Sequence, residues 1–327
     1  MIFGKDCAFM EAKRSKGKIV IVGAGFVGAS TAFAIASSGI ASELVLVDVN
    51  VEKAYGEAMD LNHGLAFLSP CAIEAGDYPD VKDADIIIIA AGSGRKPGET
   101  RLDLAKKNAN IIKSIIPNIM QYYNGGVFLV ISNPVDVLTY LIQKMTGLPA
   151  SKVIGSGTVL DSARFRYLMS SHCKLDIRNV HGYVLGEHGD SEVLVWSRVN
   201  LAGEKIEEYC DIDRAVIEKG VKEAGAEIIK RKGATYYGIA LSVTRICEAI
   251  LKNQSSILTV GSVVDGPYEI VDSSISLPCV VGINGIERVF EIKLSPLEEE
   301  ALKNSALKVR ESIDSVLSDM VLDIQAK

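Results

Sequence analysis

The stretch Ile19-Val20-Ile21-Val22-Gly23-Ala24-Gly25-Phe26-Val27-Gly28 decides the fold. Its branched apolar residues read as a buried strand, and the residues from Phe26 to Ser38 read as a helix. The glycine-rich junction is therefore a GxGxxG in the context that makes that pattern informative, directly after a strand and opening a helix. Gly23 allows the tight turn, Gly25 lets a pyrophosphate approach the backbone, and Gly28 lets helix pack on strand. The first helical residues, Phe26 and Val27 among them, then present unpaired N–H groups and a partial positive charge to phosphate. Asp48 ends the next predicted strand, where an acid hydrogen-bonds a ribose 2′-OH. The same carboxylate repels a 2′-phosphate, and no Arg follows it in Val49-Asn50-Val51-Glu52. NAD is the expected cofactor, not NADP.

Outward from this unit, short apolar runs alternate with helix-length segments from Lys18 to Ser156, the pattern of successive βαβ units and a parallel sheet. The runs are Ile19–Val22, Leu44–Val47, Ile86–Ala90, Val127–Ile131 and Val153–Ile154, with helices expected at 26–38, 52–67, 103–123 and 135–146. Beyond 156 the texture changes. A helix is expected at 160–173, extended segments at 180–203, and long helices at 211–231 and 234–253. Strand-like runs follow at Ser256–Val264, Ser274–Val281 and Arg288–Ile292, before a final helix opened by Ser295-Pro296. The fold class is α/β: a Rossmann doubly wound parallel sheet over 18–156, followed by an α+β catalytic domain over 157–327, with residues 1–17 as an N-terminal arm. No Gly/Ser linker separates the halves, which predicts tight packing around a shared cleft.

Composition narrows the function. The 327 residues carry 35 Lys and Arg against 41 Asp and Glu, a net charge of −6 with no long basic run, which argues against nucleic-acid binding. The longest apolar stretch, near Ile86–Ala91, is far short of the ~18 residues of a membrane span. The charged first residues lack the apolar core of a signal peptide. Six cysteines show no CxxC pair and no short His/Cys spacing, so a reduced, cytoplasmic chain without a metal site is expected.

Candidate chemistry lies in separate places. Arg95-Lys96-Pro97-Gly98-Glu99-Thr100-Arg101 follows the strand at 86–90 and is flanked by Gly92 and Gly94, the make-up of a closing loop. Asp161 and Arg164 are three apart on a helix and share a face. Such a pair is usually structural, yet Arg164 offers a planar fork for a carboxylate, and Asp161 can hold an imidazole in one tautomer. A lone His in a turn such as Gly186-Glu187-His188-Gly189-Asp190 is often ordinary surface, yet beside a dinucleotide site His188 can take the proton that leaves a hydroxyl when hydride leaves its carbon.

Several motifs occur in one order: GAGFVG (23–28), RKPGETRLDL (95–104), SNPVD (132–136), GSGTVLDSARFR (155–166), GEHGD (186–190) and KGATYYGIA (232–240). From about Lys18 onward the chain resembles the L-lactate/L-malate dehydrogenase family. The resemblance implies that His188 is the acid/base, steadied by Asp161. It implies that Arg164 binds the substrate carboxylate and that Arg101 polarises the carbonyl once the loop closes. Asn133 would contact substrate and nicotinamide, and Thr235 would line the pocket. Lys53, Tyr78 and Gly92 match cofactor-contacting positions.

Arg95 stands where malate enzymes of the family carry Arg and lactate enzymes generally carry Gln. A second carboxylate, as in oxaloacetate, would neutralise it, whereas pyruvate would leave it unpaired. Oxaloacetate/L-malate is therefore the leading expectation and pyruvate/L-lactate the alternative, favoured by the lactate-like remainder of the loop. A non-catalytic NAD-binding sensor is a remote third, disfavoured because Arg101, Asp161, Arg164 and His188 are all present. Arg166 and His181 match an anion site that binds fructose 1,6-bisphosphate in bacterial lactate dehydrogenases, and the resemblance implies a homotetramer.

Overall fold

The computed structural model describes residues 17–94 and 98–325. The expected arm, apart from Gly17, and Arg95 of the expected closing loop lie outside the described residues.

The opening unit forms as its sequence dictates: strand β1 (Lys18–Val22), a glycine turn, and helix α1 (Phe26–Ser38). Next come β2 (Glu43–Val47), α2 (Val51–Gly64), β3 (Ala72–Ala75), β4 (Ile86–Ile89), α3 (Arg101–Met120), β5 (Val127–Val130), α4 (Val135–Thr146) and β6 (Val153–Gly155). Apolar β-branched runs such as Ile86-Ile87-Ile88-Ile89 are buried throughout, as parallel strands covered on both faces must be. Thr100 caps α3, its side chain accepting from Asp103 N–H while Asp103 accepts from Thr100 N–H, so the helix starts at Arg101, two residues before the expected point.

The second half contains α5 (Val159–Cys173), then the short strands β7 (Val180–His181), β8 (Val184–Leu185), β9 (Val193–Leu194), β10 (Asn200–Leu201) and β11 (Glu204–Lys205). Helices α6 (Arg214–Lys232) and α7 (Tyr237–Leu251), strands β12 (Ser256–Val264), β13 (Ser273–Gly282) and β14 (Gly285–Val289), and helix α8 (Pro296–Gln325) complete it. The last strand ends three residues before the expected 288–292 run does, because Gly282 pairs with Gly285 across a two-residue turn that sets the hairpin register.

The principal sheet has nine strands in the order β14-β13-β12-β6-β5-β4-β1-β2-β3. Its parallel part reads 3-2-1-4-5-6 from the β3 edge, the Rossmann order, and strand order reverses between β1 and β4. The two halves share this sheet: the antiparallel β12–β13 ribbon joins the Rossmann part where Gly261 pairs with Gly155. A Cβ on Gly155 would stand 2.7 Å from Thr139 Oγ1, so glycine here lets α4 lie close over β6.

A smaller core beneath α5 and α6 centres on Phe165 and Trp196, whose rings meet edge-on at 4.9 Å. At its rim Cys173 and Cys210 form a disulfide with Cα atoms 5.8 Å apart, which corrects the expectation of a fully reduced chain. The fold brings the end of α5 against the segment before α6, a proximity that the 37-residue separation hides in the sequence. No helix among the described residues is long and apolar enough to cross a membrane, and no group of His, Cys, Asp and Glu among them is arranged to hold a metal ion.

Candidate active site

A cleft of about 1100 Å³ opens at the carboxyl ends of the parallel strands, beside the reversal of strand order. Gly23, Gly25, Asp48, Lys53, Tyr78 and Gly92 all line it. Gly23 has φ +111°, and a Cβ there would meet Ala91 N at 2.6 Å. A Cβ on Gly28 would lie 1.8 Å from Gly23 O, so this glycine is what lets α1 seat on the turn. At Gly25 a Cβ would meet no atom of the chain within 4 Å; the space beside it is open. The loop thus offers a bare backbone surface at the N-terminus of α1, which suits a pyrophosphate.

Asp48 accepts from Ala24 N–H at 2.7 Å and from Asn50 N–H at 2.9 Å. The carboxylate is thereby fixed at the cleft edge, and its remaining lone pairs are available to ribose hydroxyls. These residues fit a dinucleotide. Phe26 is largely exposed and stacks on Tyr236 at 5.7 Å, while Val27 packs against the core.

The chemistry-bearing side chains converge on Asp161, which α5 buries. Its Oδ2 lies 2.5 Å from His188 Nδ1, and its Oδ1 accepts from Arg164 Nη1 at 2.8 Å. Burial opposes ionisation of Asp161, but His188 and Arg164 hold its carboxyl below the usual carboxylate range. The facing Asp161 in turn pushes the His188 imidazole up to about 9, against the burial that disfavours its charge. With Nδ1 engaged, Nε2 is the nitrogen left for a substrate, on a side chain one quarter exposed.

The turn that carries His188 is tied to the Rossmann half: its N–H donates to Asp136 Oδ2 at 2.8 Å, at the start of α4. Asn133 stands three residues earlier, exposed just past the end of β5, and Gly92 lies just past the end of neighbouring β4. His188 is therefore anchored at the mouth of the nucleotide cleft. Arg101 reaches the same turn, donating to Asp190 Oδ1 at 2.5 Å with Glu187 Oε1 at 4.0 Å, and its side chain is half exposed. Thr235 is half buried between α6 and α7, close to Gly238, which sits over Leu160 of α5.

Arg166 points away from this centre, donating to the carbonyls of Val180 at 2.7 Å and Ile177 at 3.2 Å. His181, the residue after Val180, is exposed. The fold therefore gathers this pair at one corner, apart from the Asp161 cluster.

Sequence reasoning gave no role to two buried acids here. Asp136, inside the SNPVD motif, has Oδ1 without a partner among the described residues, and burial pushes its carboxyl up to about 7 against the pull of the His188 N–H. Glu192 is pushed up to about 8 by burial and by Asp161, and its Oε1 is likewise unpartnered among them. Its signal was faint: an acid two residues after the GEHGD turn, just before the apolar run Val193-Leu194-Val195-Trp196.

A dinucleotide cleft, with an imidazole and a guanidinium paired on one buried carboxylate, fits a nicotinamide-dependent dehydrogenase. Residues 17–155 match the family model described as lactate/malate dehydrogenase, NAD binding domain, and residues 158–320 match its alpha/beta C-terminal domain. The L-lactate dehydrogenase 1 of Clostridium acetobutylicum is 51% identical over 91% of this chain and 98% of its own length. The L-lactate dehydrogenase of Acetivibrio thermocellus is 50% identical over 91% and 97%. Among solved structures, the minor L-lactate dehydrogenase of Enterococcus mundtii superposes with a TM-score of 0.89 at 44% identity, over 93% of this chain and 99% of that one. A lactate dehydrogenase from a Medee basin deep-sea metagenome library gives 0.89 at 46% identity, over 92% and 99%. The chain belongs to the lactate/malate dehydrogenase family and is an NAD-dependent enzyme.

Proposed function

We propose that the chain is an L-lactate dehydrogenase, reversibly reducing pyruvate to L-lactate. The observation that carries this choice is that relatives about half identical over more than nine-tenths of the chain are named L-lactate dehydrogenase. It outweighs the oxaloacetate expectation, which rested on one side chain, Arg95.

NAD supplies the hydride donor or acceptor when bound. The chain's own residues do the rest. Arg164, braced by Asp161, keeps guanidinium N–H groups for the single carboxylate of the keto acid. His188, charged at neutral pH, donates a proton from Nε2 to the carbonyl oxygen as the alcohol forms, and takes it back in the reverse reaction. Asp161 stabilises the imidazolium and fixes its ring. Arg101 leaves Asp190 on loop closure and polarises the carbonyl, while Asn133 and Thr235 bound the pocket. Water exclusion by the closed loop strengthens each of these contacts.

Arg95 favours a second reading, oxaloacetate, whose extra carboxylate would pair with it. Initial rates of NADH oxidation with pyruvate and oxaloacetate, for wild type and Arg95→Gln, decide between them. Pyruvate should be preferred by the wild type and more strongly by Arg95→Gln. A wild-type preference for oxaloacetate of ~10³, the ratio that ~4 kcal/mol would produce, overturns the lactate assignment.

The same reading includes a homotetramer activated by fructose 1,6-bisphosphate at Arg166 and His181, supported by their shared corner. Pyruvate saturation with and without the bisphosphate tests it; unchanged apparent affinity rejects it.

A further inference from the structure

The side chain of Asn108 sits in the buried stripe of α3, among Ala105, Ala109 and Ile112, and is 1% exposed. Its Oδ1 accepts from Ser93 N–H at 2.8 Å. Its Nδ2 donates to Ser93 O at 3.2 Å and to Asn133 O at 2.6 Å. One amide therefore clamps both main-chain polar groups of Ser93, at the base of the 95–101 loop, and the carbonyl of Asn133 past β5. Asn108 also lies seven residues along α3 from Arg101, two turns down the same rod, so the far end of the loop is referred to the same point.

We infer that Asn108 is a positioning residue for the reaction, setting both ends of the closing loop in register with Asn133. This rests on the dehydrogenase mechanism proposed above. A buried asparagine whose donors and acceptor are all used by other segments is costly to disturb, because Ser93 and Asn133 then lose the bonds they share through it. No other residue type keeps one acceptor and two donors at that reach: Asp keeps the acceptor for Ser93 N–H but turns an oxygen toward two carbonyls. The closed loop must place Arg101 and Asn133 around one small carbonyl, and errors of about an ångström cost orders of magnitude in rate.

The test compares Asn108→Ala and Asn108→Asp with Ile112→Val, which loosens the same face of α3 in the core without touching these bonds. Thermal midpoint, NADH dissociation constant by fluorescence, and kcat and KM for pyruvate and for oxaloacetate are measured on the full chain. Both Asn108 variants should lose about tenfold to a hundredfold in kcat beyond any loss in Ile112→Val, with NADH affinity within about threefold of wild type. A kcat no lower than that of Ile112→Val in either variant overturns the inference. So does loss of NADH binding in both, which would make the side chain a requirement of the fold. Failure of the wild type to reduce either keto acid would instead reject the functional reading, leaving the two failures distinct.

Discussion

The N–H of His188 donates to the carboxyl of Asp136 at 2.8 Å, so the histidine proposed as acid/base is held through its backbone by one half of the molecule and through its ring by the other. Asp136 opens α4 beside the nucleotide cleft, whereas Asp161 belongs to α5 of the second half. Removing the Asp136 carboxyl should loosen the ring without touching it. Asp136→Ala leaves a buried N–H unpaired, a loss of about 1–3 kcal/mol, and should lower kcat by a corresponding tenfold or more. Asp136→Asn keeps an acceptor and should retain most activity. Steady-state kinetics of the two variants check this; equal activity in Asp136→Ala and wild type would rule out a role for the contact.

The same acid gives a stability signature. Burial raises its folded value from 3.8 to about 7, so between those limits the unfolded chain ionises while the folded chain stays protonated. The unfolded state then binds fewer protons, and stability contributed at this site falls as pH rises from about 4 to 7. Urea midpoints of Asp136→Asn relative to wild type should therefore increase across that window and level off above it. A constant difference would show that the carboxyl is ionised in the folded protein.

His188 titrates in the opposite sense. Its folded value of about 9 lies above the ordinary 6.5, chiefly through Asp161, so the pair's stabilisation is complete below 6.5 and lost as pH rises through 9. Keto-acid reduction needs the charged imidazole and should hold its kcat/KM until the pH approaches 9. Asp161→Asn should move that limb toward 6.5 and lower the rate at every pH. His188→Gln should abolish turnover with NADH binding largely retained. A limb unmoved by Asp161→Asn would dissociate the two residues.

The glycine loop separates folding from binding. A methyl at position 28 would stand 1.8 Å from Gly23 O, whereas one at position 25 would touch nothing within 4 Å and project into open space. Gly28→Ala should lower the thermal midpoint markedly. Gly25→Ala should leave it within about 2 °C, less than ~1 kcal/mol of stability, yet weaken NADH binding tenfold or more. Equal NADH affinity in Gly25→Ala and wild type would place the dinucleotide elsewhere.

What the sequence discloses about this site follows contact range. The dinucleotide loop was legible because its constraints are local: a strand, a turn that rejects side chains, a helix start, and an acid one strand away. Asp161 and Arg164 were legible as a pair because α5 places them three apart. Their convergence with His188, 27 residues on, was accessible only through resemblance, since no local pattern specifies it. Asp136 and Asn108 act over 52, 15 and 25 residues, and the only trace was a polar residue at a helical core position in each. Strand β3 escaped notice because Ala72-Ile73-Glu74-Ala75 buries one side chain and offers no apolar run.

The Cys173–Cys210 link shows the same blindness to distance and carries its own test. It closes a 37-residue span that contains β7 to β11 and part of the smaller core, Trp196 included, so its effect should be on the unfolded chain. Loop-closure entropy puts the stabilisation at roughly 4 kcal/mol. Dithiothreitol or Cys173→Ser should lower the unfolding midpoint by a matching amount. Alkylation of the denatured, unreduced protein should leave Cys173 and Cys210 unmodified, and their modification would show the pair to be dithiol. Turnover should change little in either state. Asp161 and Arg164 sit in the first turns of α5, whereas Cys173 ends that helix, and the intervening Phe165 and Met169 are locked in the core whether or not the sulfurs are joined.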